Sequence, residues 1–148
     1  MEPTEQTAAP VTALSPDEVT GPAVARAYAE AVVREQWSAH GRRPRDEDVI
    51  DLLLVVSELV TNAIRHGGGL AGFEARPAAE GVWVRVHDYS DVVPEAVYGS
   101  APFPAGHRGN GYGWPLIVRL ARELTADRRP GGGKTIGVLV PVREARGL

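Results

Sequence analysis

The stretch SELVTNAIRHG, Ser57 to Gly67, is the most informative part of this chain. It completes a predicted amphipathic helix that begins at Asp46, because apolar residues recur there at intervals of three and four. The apolar stripe consists of Val49, Leu52, Leu53, Val56, Leu59, Val60 and Ala63. At about 100° per residue, Glu58, Asn62 and Arg65 lie opposite this stripe. A carboxylate, an amide and a cation therefore share one helix face, an arrangement that an ordinary solvated surface also produces.

The composition indicates one globular domain. Of the 148 residues, 43% are hydrophobic and 24% are charged, which is an ordinary balance for a chain with one core. The net charge of −3 argues against direct nucleic-acid binding, because such modules usually carry a basic patch. The chain has no cysteine, which excludes disulfides and thiolate metal sites. We see no signal peptide and no apolar run of membrane length, so we expect a cytoplasmic protein with no membrane contact.

The order of predicted elements is helices first, then strands, with one late helix. A first helix begins at Ser15 or Pro22 and ends near His40, the second ends at His66, and the late helix covers Gly113 to Leu124. The predicted strands cover Val11–Leu14, Gly72–Pro77, Val82–Asp88, Leu124–Arg129 and Lys134–Val142. This order predicts an α+β two-layer sandwich, in which one mixed sheet is covered by helices. We expect residues 1–10 to be a disordered tail, residues 11–148 to be a single domain, and residues 91–110 to form a lid.

Two groups of residues suggest chemistry on this scaffold. Asn62 supplies a neutral amide oxygen, a ligand that suits Mg²⁺, and Glu58 one turn away could orient or deprotonate a nucleophile. Asp88 ends a valine-rich predicted strand, where its carboxylate could accept a hydrogen bond from an exocyclic amine such as adenine N6. Because Asp88 begins a sequence, DYSD, with good turn composition, it could equally be a simple turn residue.

Two glycine-rich segments complete the set. Gly109, Gly111 and Gly113 open the late helix, where close backbone approach and a helix N-terminus suit a phosphate. The segment GGGKT, residues 131–135, looks like the end of a P-loop, but Arg128 stands where the first glycine is required and a strand follows instead of a helix. We therefore interpret Thr135 as a hydroxyl near the strand that carries Asp88. Lys134 is the only lysine in the chain, and we interpret its rarity as compositional bias rather than as a site.

Taken in order, these motifs resemble those of the GHKL ATP-binding superfamily, which includes gyrase-type ATPases, heat-shock chaperones and histidine kinases. The segment ELVTNAIRH at residues 58–66 resembles its N box, and VHDYSD at residues 86–91 resembles its first glycine box. GNGYGWPLI at residues 109–117 resembles the second glycine box, and GGKTI at residues 132–136 resembles the closing threonine motif. The resemblance implies a Bergerat-type fold that binds ATP and Mg²⁺, with Asn62 on the metal and Asp88 and Thr135 near the adenine.

Among the small stand-alone members, the chain is similar to anti-sigma-factor serine/threonine kinases. This resemblance implies that Glu58 is the catalytic base for phosphorylation of a serine on an anti-anti-sigma-type partner. It also implies a sigma factor as a second partner and a homodimer as the assembly. The nucleotide-binding residues that it implies are Asn62, Arg65, His66, Asp88, Ser90, Arg108, Gly109, Gly111, Tyr112, Gly113, Trp114 and Thr135.

Two departures from the family pattern leave a second interpretation open. Residues 89–91 are Tyr-Ser-Asp where a glycine normally follows the aspartate of the first glycine box. The predicted lid contains Pro94, Pro102 and Pro104, which stiffen it. Both departures favour an ATP-gated binding module that sequesters a partner without phosphorylating it. Glu58 favours the kinase, because a nucleotide sensor has no need of that acid.

Overall fold

The computed structural model describes residues 18–94 and 113–146 of the chain. These residues form helices on one face of a single sheet, so the predicted α+β two-layer sandwich is confirmed. In chain order the elements are α1 (Pro22–Ser38), α2 (Asp46–His66), β1 (Leu70–Ala78), β2 (Gly81–Asp88), α3 (Gly113–Leu120), β3 (Glu123–Arg128) and β4 (Lys134–Pro141).

The strand order in the sheet is β1-β2-β4-β3, and each of the three pairings is antiparallel. The expectation of a mixed sheet is therefore corrected for the described strands. The physical reason is that β1–β2 and β3–β4 are hairpins with short turns, which can join only antiparallel strands. The predicted edge strand Val11–Leu14, the N-terminal tail and most of the predicted lid lie outside the described residues.

Alternation along β2 separates the two faces of the sheet. Val82, Val84, Val86 and Asp88 are buried towards the helices, while the residues between them point to the outer face. Helix α2 supplies the other half of the core through Val49, Leu52, Val55, Val56, Leu59, Val60 and Ala63. The sequence stripe is thus confirmed, except that Leu53 is only partly buried and Val55 belongs to the core.

Several predicted boundaries shift by a few residues, and β1 begins at Leu70 instead of Gly72. Helix α1 ends at Ser38, and helix α3 ends at Leu120 because Leu124 already pairs with Val138 in the sheet. Within the described ranges, no helix has both the length and the apolar character that a membrane crossing requires.

Helix α2 is fixed to the rest of the domain at both ends. At its start, the buried carboxylate of Asp48 accepts hydrogen bonds from the backbone N–H of Arg143 at 2.8 Å and from its guanidinium at 3.2 and 3.3 Å. At its end, Gly67 donates its N–H to Ala63 and accepts a hydrogen bond from the N–H of Tyr89 at 2.9 Å. These contacts hold the C-terminal half of α2 over the end of β2.

We predict that Asp48→Ala destabilises the fold by about 1–3 kcal/mol, because the N–H of Arg143 then loses its acceptor. The guanidinium part of the contact adds little, since the Arg143 side chain is 63% exposed. Urea unfolding measures the effect, and Glu47→Ala is the control because its side chain is 68% exposed and its ion pair with Arg45 lies on the surface. Equal stability of the two variants would contradict this account of how α2 is anchored.

Candidate functional site

The described site residues gather at one end of the domain, where four elements meet. These elements are the C-terminal half of α2, the end of β2, the beginning of β4 and the beginning of α3. The short turn at residues 67–69 brings the end of α2 next to the end of β2, and its last two glycines have φ values of +77° and +123°. Such backbone conformations favour glycine, so the triglycine allows the close approach on which the site depends.

The carboxylate of Glu58 packs directly against Gly113, the first residue of α3. A Cβ atom placed on Gly113 would overlap Glu58 Oε1 and would lie 3.3 Å from its Cδ. Position 113 therefore requires glycine for the Glu58 side chain to hold this place. The N-terminal end of a helix presents unpaired N–H groups and the positive end of its dipole. Glu58 thus lies where α3 is able to receive an anionic group.

Asn62 carries an unused polar group one helical turn from Glu58. Its Nδ2 atom is buried and has no hydrogen-bond partner within residues 18–94 and 113–146. A buried unsatisfied polar atom costs about 1–3 kcal/mol, so native proteins keep few of them, and a ligand can account for those that persist. Because the two ends of an amide are exchanged by a simple rotation, either its oxygen or its nitrogen can serve a ligand. This end of the site fits a metal–phosphate group.

Asp88 is almost fully enclosed at the end of β2. Its carboxylate lies 2.9 Å (Oδ2) and 3.2 Å (Oδ1) from the Lys134 ammonium, and Oδ1 also accepts the N–H of Ser90 at 2.9 Å. Gly67 covers it from the helix side, since a Cβ at position 67 would lie only 2.6 Å from the Asp88 carboxyl carbon. The backbone around Asp88 is equally crowded, because a Cβ on Gly133 would overlap the Asp88 carbonyl oxygen.

Lys134 is a site residue that sequence reasoning missed. The interpretation of the only lysine as compositional bias is wrong, because its side chain is 5% exposed and is paired with Asp88. Lys134 stands directly opposite Asp88 in the β2–β4 pairing, so both side chains point to the same face of the sheet. The alternation of β4 indicates that Lys134 shares a face with the buried residues Ile136 and Val138. The sequence alone does not show that Asp88 is the residue opposite Lys134 in the neighbouring strand.

Thr135 lies on the other face of the sheet, because consecutive residues of a strand point in opposite directions. Its hydroxyl is 2.6 Å from Nδ1 of His87, whose Nε2 is 3.0 Å from the Glu74 carboxylate. Thr135 therefore lies next to the strand that carries Asp88, as the sequence analysis expected, but on the opposite face of the sheet from the Asp88 side chain.

The other predicted residues are distributed as follows. Arg65 and His66 are exposed in the last turn of α2, and Trp114 is partly buried in α3. Ser90 is part of the turn after β2, where its backbone carbonyl accepts a hydrogen bond from Lys134 at 3.3 Å. The remaining four predicted residues, Arg108, Gly109, Gly111 and Tyr112, lie outside the described residues.

The fold and the site together define an ATP-binding domain of the GHKL type. The chain matches the family model of the histidine kinase-like ATPase domain over residues 21–138, and it belongs to that family. The resemblance in the sequence motifs is therefore confirmed, and membership implies a regulatory domain that binds ATP.

One curated relative is the signal transduction histidine-protein kinase AfsQ2 of Streptomyces coelicolor. It is 28% identical over 139 residues, which cover 84% of this chain and 25% of the relative. The chain thus spans about a quarter of the length of the curated relative that it matches. No solved structure is significantly similar to the chain.

We predict opposite tolerance at the two glycines that contact the acidic side chains. Gly67→Ala should destabilise the fold by about 1–3 kcal/mol, because the new methyl group displaces a buried carboxylate that Lys134 holds in place. Gly113→Ala should stay within about 0.5 kcal/mol of the parent, because the far end of the flexible Glu58 side chain can move aside. Thermal unfolding of both variants measures this, and a tolerated Gly67→Ala would show that Asp88 is not packed as described.

Proposed function

We propose that this domain binds ATP with Mg²⁺ and phosphorylates a serine on an anti-anti-sigma-type partner. The observation that supports the proposal is the position of Glu58. Its carboxylate lies against the first residue of α3 and one helical turn from Asn62, whose Nδ2 atom has no hydrogen-bond partner among the residues described. An acid at the phosphate-receiving end of the site has a role in transfer, whereas nucleotide binding alone does not require it.

In this proposal, different residues of the site bind different parts of the nucleotide. Asn62 would hold the metal, and the beginning of α3 would receive phosphate oxygens through its backbone N–H groups. When bound, ATP supplies the phosphoryl group and Mg²⁺ neutralises the charge of the phosphates. Asp88 packs against Gly67, the residue that follows the end of α2, and this contact marks the base end of the site in this proposal.

Glu58 would act on the partner's serine. Its carboxylate would orient the hydroxyl and accept the hydroxyl proton while the serine oxygen forms a bond to the γ-phosphorus of ATP. The bond between that phosphorus and the β–γ bridging oxygen would break, and ADP would leave. Help of this kind is worth about 10²–10⁴ in rate. The contact of Glu58 with the beginning of α3 places the carboxylate beside the helix end that would receive the phosphate, and such proximity favours this step.

We propose the same partners that the sequence resemblance implies. The domain would bind a sigma factor as well as the anti-anti-sigma-type protein, and it would act as a homodimer in the cytoplasm. Phosphorylation of one partner would then decide whether the other is held or released.

A second candidate function is favoured by one specific observation. The Lys134 ammonium forms an ion pair with the carboxylate of Asp88. Asp88 is the residue that we expect to contact the adenine base. A domain with this feature could bind nucleotide weakly and use it only to gate partner binding. The kinase remains the primary proposal because the gating module gives no role to Glu58.

We predict that Glu58→Gln keeps ATP affinity near that of the parent and lowers phosphate transfer by about 10²–10⁴. The substitution preserves size and removes basicity, so a loss of transfer without a loss of binding identifies a catalytic role. Mass spectrometry of the partner quantifies phosphoserine, and calorimetry quantifies ATP binding. A stable complex of the parent protein, ATP, Mg²⁺ and the partner that yields no phosphoserine would reject the kinase in favour of the gating module.

We predict that Asn62→Ala abolishes most of the Mg²⁺ dependence of ATP binding while the domain stays folded. The residue lies off the apolar stripe, and the change removes a buried amide that has no partner among the described residues. ATP affinity is measured with Mg²⁺ and with EDTA. Ile64→Ala, an exposed position on the same helix, is the control that should retain the full difference. If Asn62→Ala shows the same Mg²⁺ dependence as the parent, Asn62 is not the metal ligand.

A further inference from the structure

The Asp88–Lys134 pair satisfies its own polar atoms without any ligand. Both carboxylate oxygens lie within 3.2 Å of the ammonium, and the N–H of Ser90 donates to one of them. The ammonium has three N–H groups, and it faces three acceptors when the Ser90 carbonyl at 3.3 Å is included. The two side chains are 5% and 6% exposed, so the pair is closed to solvent as well.

The surrounding backbone fixes the pair in this arrangement. Lys134 follows Gly133, which has a φ of +88° and donates its N–H to the Asp91 carboxylate at 2.8 Å. The Arg129 guanidinium donates a hydrogen bond to the Asp88 carbonyl at 3.4 Å. The β3–β4 turn therefore contacts Asp88 and also leads directly into Lys134. The register of β2 and β4 then leaves the lysine ammonium beside the Asp88 carboxylate.

We infer that Lys134 is a specificity-determining residue whose ammonium occupies the position that Asp88 would otherwise offer to the amine of an adenine base. The inference rests on the proposed nucleotide function. A hydrogen bond between an ammonium and a carboxylate is stronger than one from a neutral base amine. The hydrogen bond from the base amine is therefore too weak to displace the Lys134 ammonium from Asp88. As a consequence, adenine nucleotides bind with reduced affinity, and Asp88 contributes little to their binding.

This inference separates the two ends of the site. At the metal–phosphate end, the Asn62 Nδ2 atom has no partner in the described ranges and is free for a ligand, whereas the carboxylate at the base end is already paired with Lys134. A neutral residue at position 134 removes the ammonium that competes for the Asp88 carboxylate. The carboxylate can then accept a hydrogen bond from the adenine amine. Thr is the appropriate replacement, because it is compact and its hydroxyl can still donate to the carboxylate.

The test is calorimetric titration of the intact chain with Mg²⁺–ADP. We expect Lys134→Thr to bind ADP at least about tenfold more tightly than the parent, which corresponds to about 1.4 kcal/mol. Adding Asp88→Asn to Lys134→Thr should remove the gain, because the gain depends on the freed carboxylate. Tighter binding in the single variant and its loss in the double variant support the inference.

Stability measurements keep the test independent of folding defects. Removal of one partner from a buried ion pair destabilises a protein, so Lys134→Thr should unfold at a lower temperature than the parent. ADP should then raise its unfolding temperature by more than it raises that of the parent. Asp48→Ala is the matched control, because it also destabilises the fold by breaking a buried polar contact, at the opposite end of α2, and should leave the ADP effect unchanged.

A second variant decides the matter if Lys134→Thr does not fold. Lys134→Gln retains a donor for Asp88 and removes the charge, so it should fold and bind ADP more tightly than the parent. The inference is overturned if folded Lys134→Thr or, failing that, folded Lys134→Gln binds ADP no more tightly than a parent that does bind it. Absence of ADP binding in the parent and in every variant would overturn the proposed function together with the inference.

Discussion

The structure depends on the contact between the end of helix α2 and the end of strand β2. Gly67 has no side chain, so the Asp88 carboxylate can lie directly against the helix end, and the N–H of Tyr89 closes the contact by bonding to the Gly67 carbonyl. Because α2 is also anchored at its start through Asp48, its orientation over the sheet is determined. The face that carries Glu58 and Asn62 is thereby directed at the beginning of α3 and away from the core.

The two ends of the site differ in whether their buried polar groups have hydrogen-bond partners. The buried amide nitrogen of Asn62 has no partner in the part of the chain that the structure describes, which is unfavourable in the absence of a ligand. Asp88 and Lys134 form a closed ion pair, which is favourable only because every donor and acceptor is used. The affinity for a nucleotide therefore comes from contacts at the phosphate end, and the Asp88–Lys134 pair at the base end lowers that affinity.

Local sequence predicted the features that local physics controls. The period of α2 and the glycines after it predicted both of its ends correctly, and the valine-rich segment predicted strand β2 to within one residue. The pairing of β2 with β4 involves residues 46 positions apart for Asp88 and Lys134, and no short-range pattern encodes it. That long-range register decides that Lys134 meets Asp88 and that Thr135 faces His87, so these placements required the structure.

The central claim is that ATP binds along the C-terminal half of α2, and amide hydrogen exchange with and without Mg²⁺–ATP tests it most directly. The account predicts slower exchange on ATP addition at residues 58–69 and 113–120, where α2 ends and α3 begins, with little change at the α1 end around Trp37. Unchanged exchange at residues 58–69, or protection confined to the region around Trp37, would contradict the claim.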